Sequence, residues 1–69
     1  MDGHTYKHIE ITGSATTGTD DAVRNAIAKA SETIRHIHWF QVIDTRGYVD
    51  GAEVRHWQVT VKIGFRLED

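Results

Sequence analysis

The chain has 69 residues, no cysteine and no proline, and carries a formal net charge of -2 with a pI of about 6.2. A domain this short buries only about 60% of the surface that its unfolded chain exposes; lacking disulfides and thiolate metal sites, it is expected to supplement its core by association of subunits. The charge offers no general attraction for nucleic acid or a membrane, and neither a signal peptide at Met1-Asp2-Gly3-His4 nor an apolar span of roughly 20 residues is visible, so a soluble cytoplasmic protein is expected.

Thr5 to Thr12 alternates, with Ile9 and Ile11 on one side and His8 and Glu10 on the other, which predicts a half-buried first strand. Gly13-Ser14-Ala15-Thr16-Thr17-Gly18 consists of small and turn-forming residues and reads as a loop, after which Thr19 offers a side-chain oxygen as helix cap. From Asp20 to about Ile37 the residues Val23, Ile27, Ala30, Ile34 and Ile37 recur at spacings of four and three, with Ala26 beside them, which predicts one helix with one buried stripe. Asp20 and Asp21 at its start, and Arg35 and His36 at its end, suit the helix dipole, each contributing about 0.3–1 kcal/mol.

Trp39 to Val49 is rich in β-formers and predicts strand two, with the hairpin turn at Asp50-Gly51. Glu53 to Leu67 alternates almost without fault, placing Trp57, Val59, Val61, Ile63, Phe65 and Leu67 on one face and His56, Gln58, Thr60, Lys62 and Arg66 on the other. Fifteen extended residues span about 50 Å at roughly 3.3 Å each, whereas a compact domain of this length has a radius of gyration of about 11 Å. Strand three must therefore bend around the helix or reach into neighbouring subunits, and without proline its edge is free to pair. The order β-α-β-β predicts one α+β domain over residues 1–69.

Gly13 and Gly18 have the spacing of a phosphate-binding loop, but Thr19 and Asp20 stand where its lysine and hydroxyl residue belong, so a plain connecting turn is the better reading. The five histidines do not have metal-ligand spacing: His4 and His8 are about 13 Å apart along a strand. Helix-end packing for His36 and His38, and solvent exposure for the others, is expected. Ser14 and Ser31 lack the setting of a hydrolase nucleophile. Trp39, by itself, reads more readily as a core anchor than as a ligand platform. Gln58, opposite Trp57 and Val59, carries one acceptor and two donors, which complement the mixed edge of a heterocycle, although by itself it reads more readily as an exposed strand glutamine.

Lys7-His8-Ile9-Glu10, Ala22-Val23-Arg24-Asn25-Ala26-Ile27, Trp39-Phe40, Arg46-Gly47, His56-Trp57-Gln58-Val59 and Gly64-Phe65-Arg66-Leu67 together resemble the dodecin family, from about His4 to Glu68. The resemblance implies a three-stranded antiparallel sheet wrapped around one helix, and a hollow homo-dodecamer built as a tetramer of trimers. It implies flavins bound as antiparallel pairs between two symmetry-related tryptophans, here Trp39, with Gln58 bonding the polar ring edge. Arg46 matches the bacterial type, which favours FMN, with riboflavin or FAD possible and coenzyme A as a second ligand. Arg46 and Arg66 are the cations expected near the phosphate. Two positions depart from the family pattern: His38 precedes the tryptophan where Asp or Asn is usual, which suggests pH-sensitive binding, and the loop before the helix lacks a common proline.

The function so implied is flavin storage or buffering, with quenching of the excited flavin by the tryptophan and no catalysis. A stack that covers both faces of each ring leaves no place for a hydride donor. A ligand-free oligomeric interaction module, in which Trp39 and Gln58 complete a subunit interface, is the alternative.

Overall fold

A computed structural model describes residues 3–67; Met1 and Asp2 of the polar start, and Glu68 at the end of the resemblance, lie outside the described residues. Four elements follow one another in the order β-α-β-β: β1 (Tyr6–Ala15), α1 (Thr19–Ala30), β2 (Ile37–Asp50) and β3 (Glu53–Arg66). The strands form one antiparallel sheet in the order β1-β3-β2, giving the expected α+β fold. The alternation of β3 fades towards Leu67, which is 40% exposed, and is realised at its centre, where Val59, Val61 and Ile63 are 1%, 0% and 0% exposed. Burying each such side chain is worth about 1.5–3 kcal/mol.

The expectation that strand three keeps a free edge is overturned by its position. It is the middle strand, paired with β1 from Tyr6↔Arg66 to Ala15↔Trp57 and with β2 from Ile37↔Phe65 to Asp50↔Glu53. The free edges belong to β1 and β2. Its length is accommodated by an elongated molecule, 56 × 20 × 14 Å with a radius of gyration of 14.4 Å. The hairpin loop is Gly51-Ala52 rather than Asp50-Gly51, because Asp50 still pairs with Glu53; Gly51 at φ 65 supplies the positive φ that the first loop residue needs.

The segment read as a loop begins as strand. Gly13, Ser14 and Ala15 continue β1 opposite Val59, Gln58 and Trp57, and Gly13 has a packing role. A Cβ at Gly13 would lie 2.1 Å from the Ala22 carbonyl oxygen and 2.7 Å from the Ala26 Cβ, so only glycine lets α1 settle on β1 at this distance. The same closeness selects the buried face of the helix. Ala22, Ala26 and Ala30 form the contact line, while Val23 and Ile27 are only partly buried. The predicted stripe is thus rotated by about one residue, since small side chains fit where the backbones touch.

Both helix ends differ from expectation. Thr19 is the first helical residue and does not cap; Gly18 stands at the cap position without a side-chain bond, and the Thr17 hydroxyl donates instead to the Asp21 carboxylate. That bond, and then Arg24, hold the Asp21 carboxyl below the usual carboxylate range. At the other end the Ser31 hydroxyl donates to the Ile27 carbonyl at 2.8 Å, and the amides of Glu32 and Thr33 reach back only three residues, which tightens and ends the helix. Ile34 and Ile37 do join the core, but from a turn and from β2. Arg35 and His36 therefore lie beyond the helix, and the basic residue of its last turn is Lys29.

The helix packs on β1 and β3, and β2 extends past it. Phe40 and Val42, which pair with Ile63 and Val61 on the core side, are consequently 51% and 48% exposed and line an open cleft of about 380 Å³ with Val23 and Arg24. Among the described residues, no helix is long and apolar enough to cross a membrane.

Candidate functional site

The face of the sheet turned away from α1 carries all four residues singled out in the sequence. Trp39 pairs with Gly64, and its ring lies directly over that glycine: a Cβ there would meet the ring carbons Cε2 and Cζ2 at 1.9 and 2.1 Å. His8 flanks Gly64 from β1, its ring 6.5 Å from the indole at 45°. The indole is neither a core anchor nor a loose surface group. It is 40% exposed and rests on a bare stretch of backbone, which leaves an outward ring surface for stacking.

Arg66 lies on the same face two positions beyond Gly64, in line with Tyr6 of β1. Gln58 and Arg46 face each other at the other end of β3. The Tyr48 hydroxyl donates to Gln58 Oε1 at 3.3 Å, and Arg46 donates to the Asp44 carboxylate at 2.6 and 3.1 Å. This partner, followed by Tyr48, raises the Arg46 guanidinium further above its ordinary value. The structure thus joins Trp39 with Arg66 and Gln58 with Arg46, but does not join the two groups. Gly64 and Gln58 are six positions apart on β3, about 20 Å at roughly 3.3 Å per residue. One tricyclic ring cannot touch both within one chain.

Three of the five histidines, His8, His38 and His56, pack against aromatic rings, and His4 and His8 are exposed as expected. His38 sits in a β-bulge and packs edge-on against Tyr6 at 5.5 Å, and His56 lies 4.8 Å from Tyr48. Among the described residues, no three His, Cys, Asp or Glu side chains are placed to hold a metal ion. The imidazole in contact with Trp39 is His8, not its neighbour in sequence, His38.

Sequence reasoning on single residues passed over Gly64 and Tyr48. A glycine inside an otherwise β-branched and aromatic strand is itself a sign that something approaches the backbone closely. Gly64→Ala is expected to drive the Trp39 ring outward while β3 stays paired. In a Trp57→Phe background, where Trp39 is the sole tryptophan, the tryptophan bands of the near-ultraviolet circular dichroism should fall by about half or more; unchanged tryptophan bands would mean that the ring does not rest on Gly64.

The sequence profile of the dodecin family matches residues 5–68. A dodecin from Thermus thermophilus is 40% identical over 67 residues, 97% of each chain. The structure is similar to that of a dodecin from Streptomyces davaonensis, with a TM-score of 0.94 and 43% identity over 99% of this chain and 100% of the other. It is equally similar to a dodecin from Streptomyces coelicolor, at 0.93 and 48% over 100% and 99%. Variants of the Thermus protein with one tryptophan changed to phenylalanine, or one arginine to alanine, keep this fold at a TM-score of 0.92. A profile match over nearly the whole length, together with relatives of 40–48% identity that share the complete sheet and helix, leaves one assignment: this chain belongs to the dodecin family.

Proposed function

We propose that the chain is the subunit of a flavin-holding dodecamer that stores or buffers FMN or riboflavin, quenches its excited state, and catalyses no reaction. The observation that carries this reading is the Trp39 ring, 40% exposed and resting against Gly64 as a platform for a second aromatic system. Flavins bind as a pair between two such platforms from two subunits, each ring stacked on one indole and on the other flavin. Close contact with an electron-rich indole opens a route for electron transfer that quenches the excited flavin. With both faces of each ring covered, a hydride donor has no access.

Assembly is needed twice over. Gln58 lies about 20 Å along β3 from the Trp39 platform of its own chain, so the glutamine that bonds the flavin's polar edge comes from a different subunit than the indole. The apolar surface of β2, with Phe40, Val42 and Ile43 each at least 44% exposed, also requires a cover. Patches of this kind mark association surfaces.

The choice of flavin follows from charge. Arg66 stands beside the platform, whereas Arg46 is already engaged by Asp44, so Arg66 is the cation for an FMN phosphate. A charge-assisted hydrogen bond contributes about 1.5–3 kcal/mol, which amounts to roughly tenfold or more in affinity. Titration by fluorescence quenching should show FMN binding about tenfold more tightly than riboflavin at low salt, with the preference reduced by salt and by Arg66→Ala. Equal wild-type affinities at low salt would remove the phosphate contact and leave the ring stack standing.

A further inference from the structure

Gln58 stands within a row of polar side chains on the outer face. Asp44, Arg46 and Tyr48 of β2 lie opposite Thr60, Gln58 and His56 of β3. The Asp44 carboxylate accepts two bonds from Arg46, and the Tyr48 hydroxyl donates to Gln58 Oε1 at 3.3 Å. The His56 ring lies 4.8 Å from the Tyr48 ring at 32°, which limits how far the phenol can swing. Arg46 lies two positions from Tyr48 on the same face of β2. A guanidinium has donors and no acceptor, so towards Arg46 the Tyr48 oxygen can only accept; its single proton is then directed to Gln58.

The row therefore has one sense. Exchanging the oxygen and nitrogen ends of the Gln58 amide would make the Tyr48 oxygen accept from Nε2 while it also faces the Arg46 guanidinium, and would leave the phenol proton without Gln58 as its acceptor. One lone pair of Oε1 and the two Nε2 protons remain for a ligand.

We propose that Tyr48 is a positioning residue that fixes the sense of the Gln58 amide, and thereby restricts Gln58 to a ligand edge in which a carbonyl adjoins an N–H. A flavin offers such an edge at its C4 carbonyl and N3–H. The inference rests on the flavin-binding reading and names the residue that gives that reading its selectivity.

Riboflavin and its N3-methyl derivative, titrated into wild type and Tyr48→Phe by fluorescence quenching, test it. The phenylalanine keeps the ring against His56 and removes only the hydroxyl, at a side chain that is 44% exposed. Wild type should prefer riboflavin. In Tyr48→Phe the riboflavin affinity should fall about three- to tenfold, the cost of ordering one long side chain on binding. The N3-methyl derivative should bind as before or more tightly, because a freed amide can turn away from the methyl group. An equal loss for both ligands, or an unchanged preference, would overturn the role of Tyr48. Wild type that binds riboflavin while the variant keeps the same preference removes only this inference, whereas wild type that binds neither ligand removes the flavin reading as well.

Discussion

Trp39→Ala is expected to abolish most flavin binding while leaving the fold unchanged. Stacking a heterocycle on an aromatic side chain is worth about 1–3 kcal/mol, which corresponds to roughly 5- to 150-fold in affinity. In the proposed stack each flavin pair rests on two tryptophans, so the loss per pair lies towards the upper end. The fold should survive because the ring is 40% exposed on the face away from α1, and the core of Val59, Val61 and Ile63 lies on the other side of the sheet. Flavin fluorescence, quenched on mixing with wild type, should persist with the variant at micromolar protein. Normal quenching by Trp39→Ala would place the flavin elsewhere.

The largest effect on stability is expected at Gly13. Gly13→Ala puts a methyl group 2.1 Å from the Ala22 carbonyl oxygen, which is backbone and cannot rotate away. Two effects oppose each other. Alanine restricts the unfolded chain and would stabilise by about 0.4–1 kcal/mol at a compatible site, but overpacking costs about 1–3 kcal/mol, and more where a whole helix must move. The clash wins. A change near 3 kcal/mol corresponds to a melting temperature lower by roughly 10–20 °C for a domain of this size, measurable by calorimetry. A change of less than a few degrees would show that α1 can lift from β1 at little cost, and that the Ala22, Ala26 and Ala30 contact line is not what holds the helix.

The elements were legible because their periodicities are strong. In β3, apolar residues alternate from Trp57 to Leu67, and this fixes which face is buried without reference to any partner. The position of β3 in the middle of the sheet is not written in that pattern, since alternation is the same in an edge strand and a central one. The helix was drawn too long for a related reason: Ile34 and Ile37 keep the helical spacing and do reach the core, but Ser31 and the three-residue bonds after it end the helix at Ala30. Gly13 stands among turn-forming residues and Gly64 inside a strand, and neither setting names the group that comes close. What each admits, a helix in one case and an indole in the other, depends on residues far away along the chain.

The candidate site was legible in its members and not in its grouping. Trp39, Gln58, Arg46 and Arg66 all fall on one face, but which of them are neighbours depends on the register between β2 and β3. That register shifts at three places, between Ile37 and Trp39, Val42 and Asp44, and Tyr48 and Val49. Only with the register in hand does Trp39 stand over Gly64 and Arg46 opposite Gln58, and only then does the proposed flavin site call for a second subunit.

The central claim is that two Trp39 platforms from two subunits enclose two flavins. One platform per chain and one flavin per platform fix the stoichiometry at one flavin per chain, whatever the affinity. Titrating riboflavin against purified wild-type protein at concentrations well above the dissociation constant, and following the loss of flavin fluorescence, measures this ratio directly. A sharp break at one flavin per chain, with nearly complete quenching up to the break, is the predicted result. A break at one flavin per two chains would contradict the paired stack, and the absence of quenching at any ratio would contradict flavin binding at Trp39 altogether.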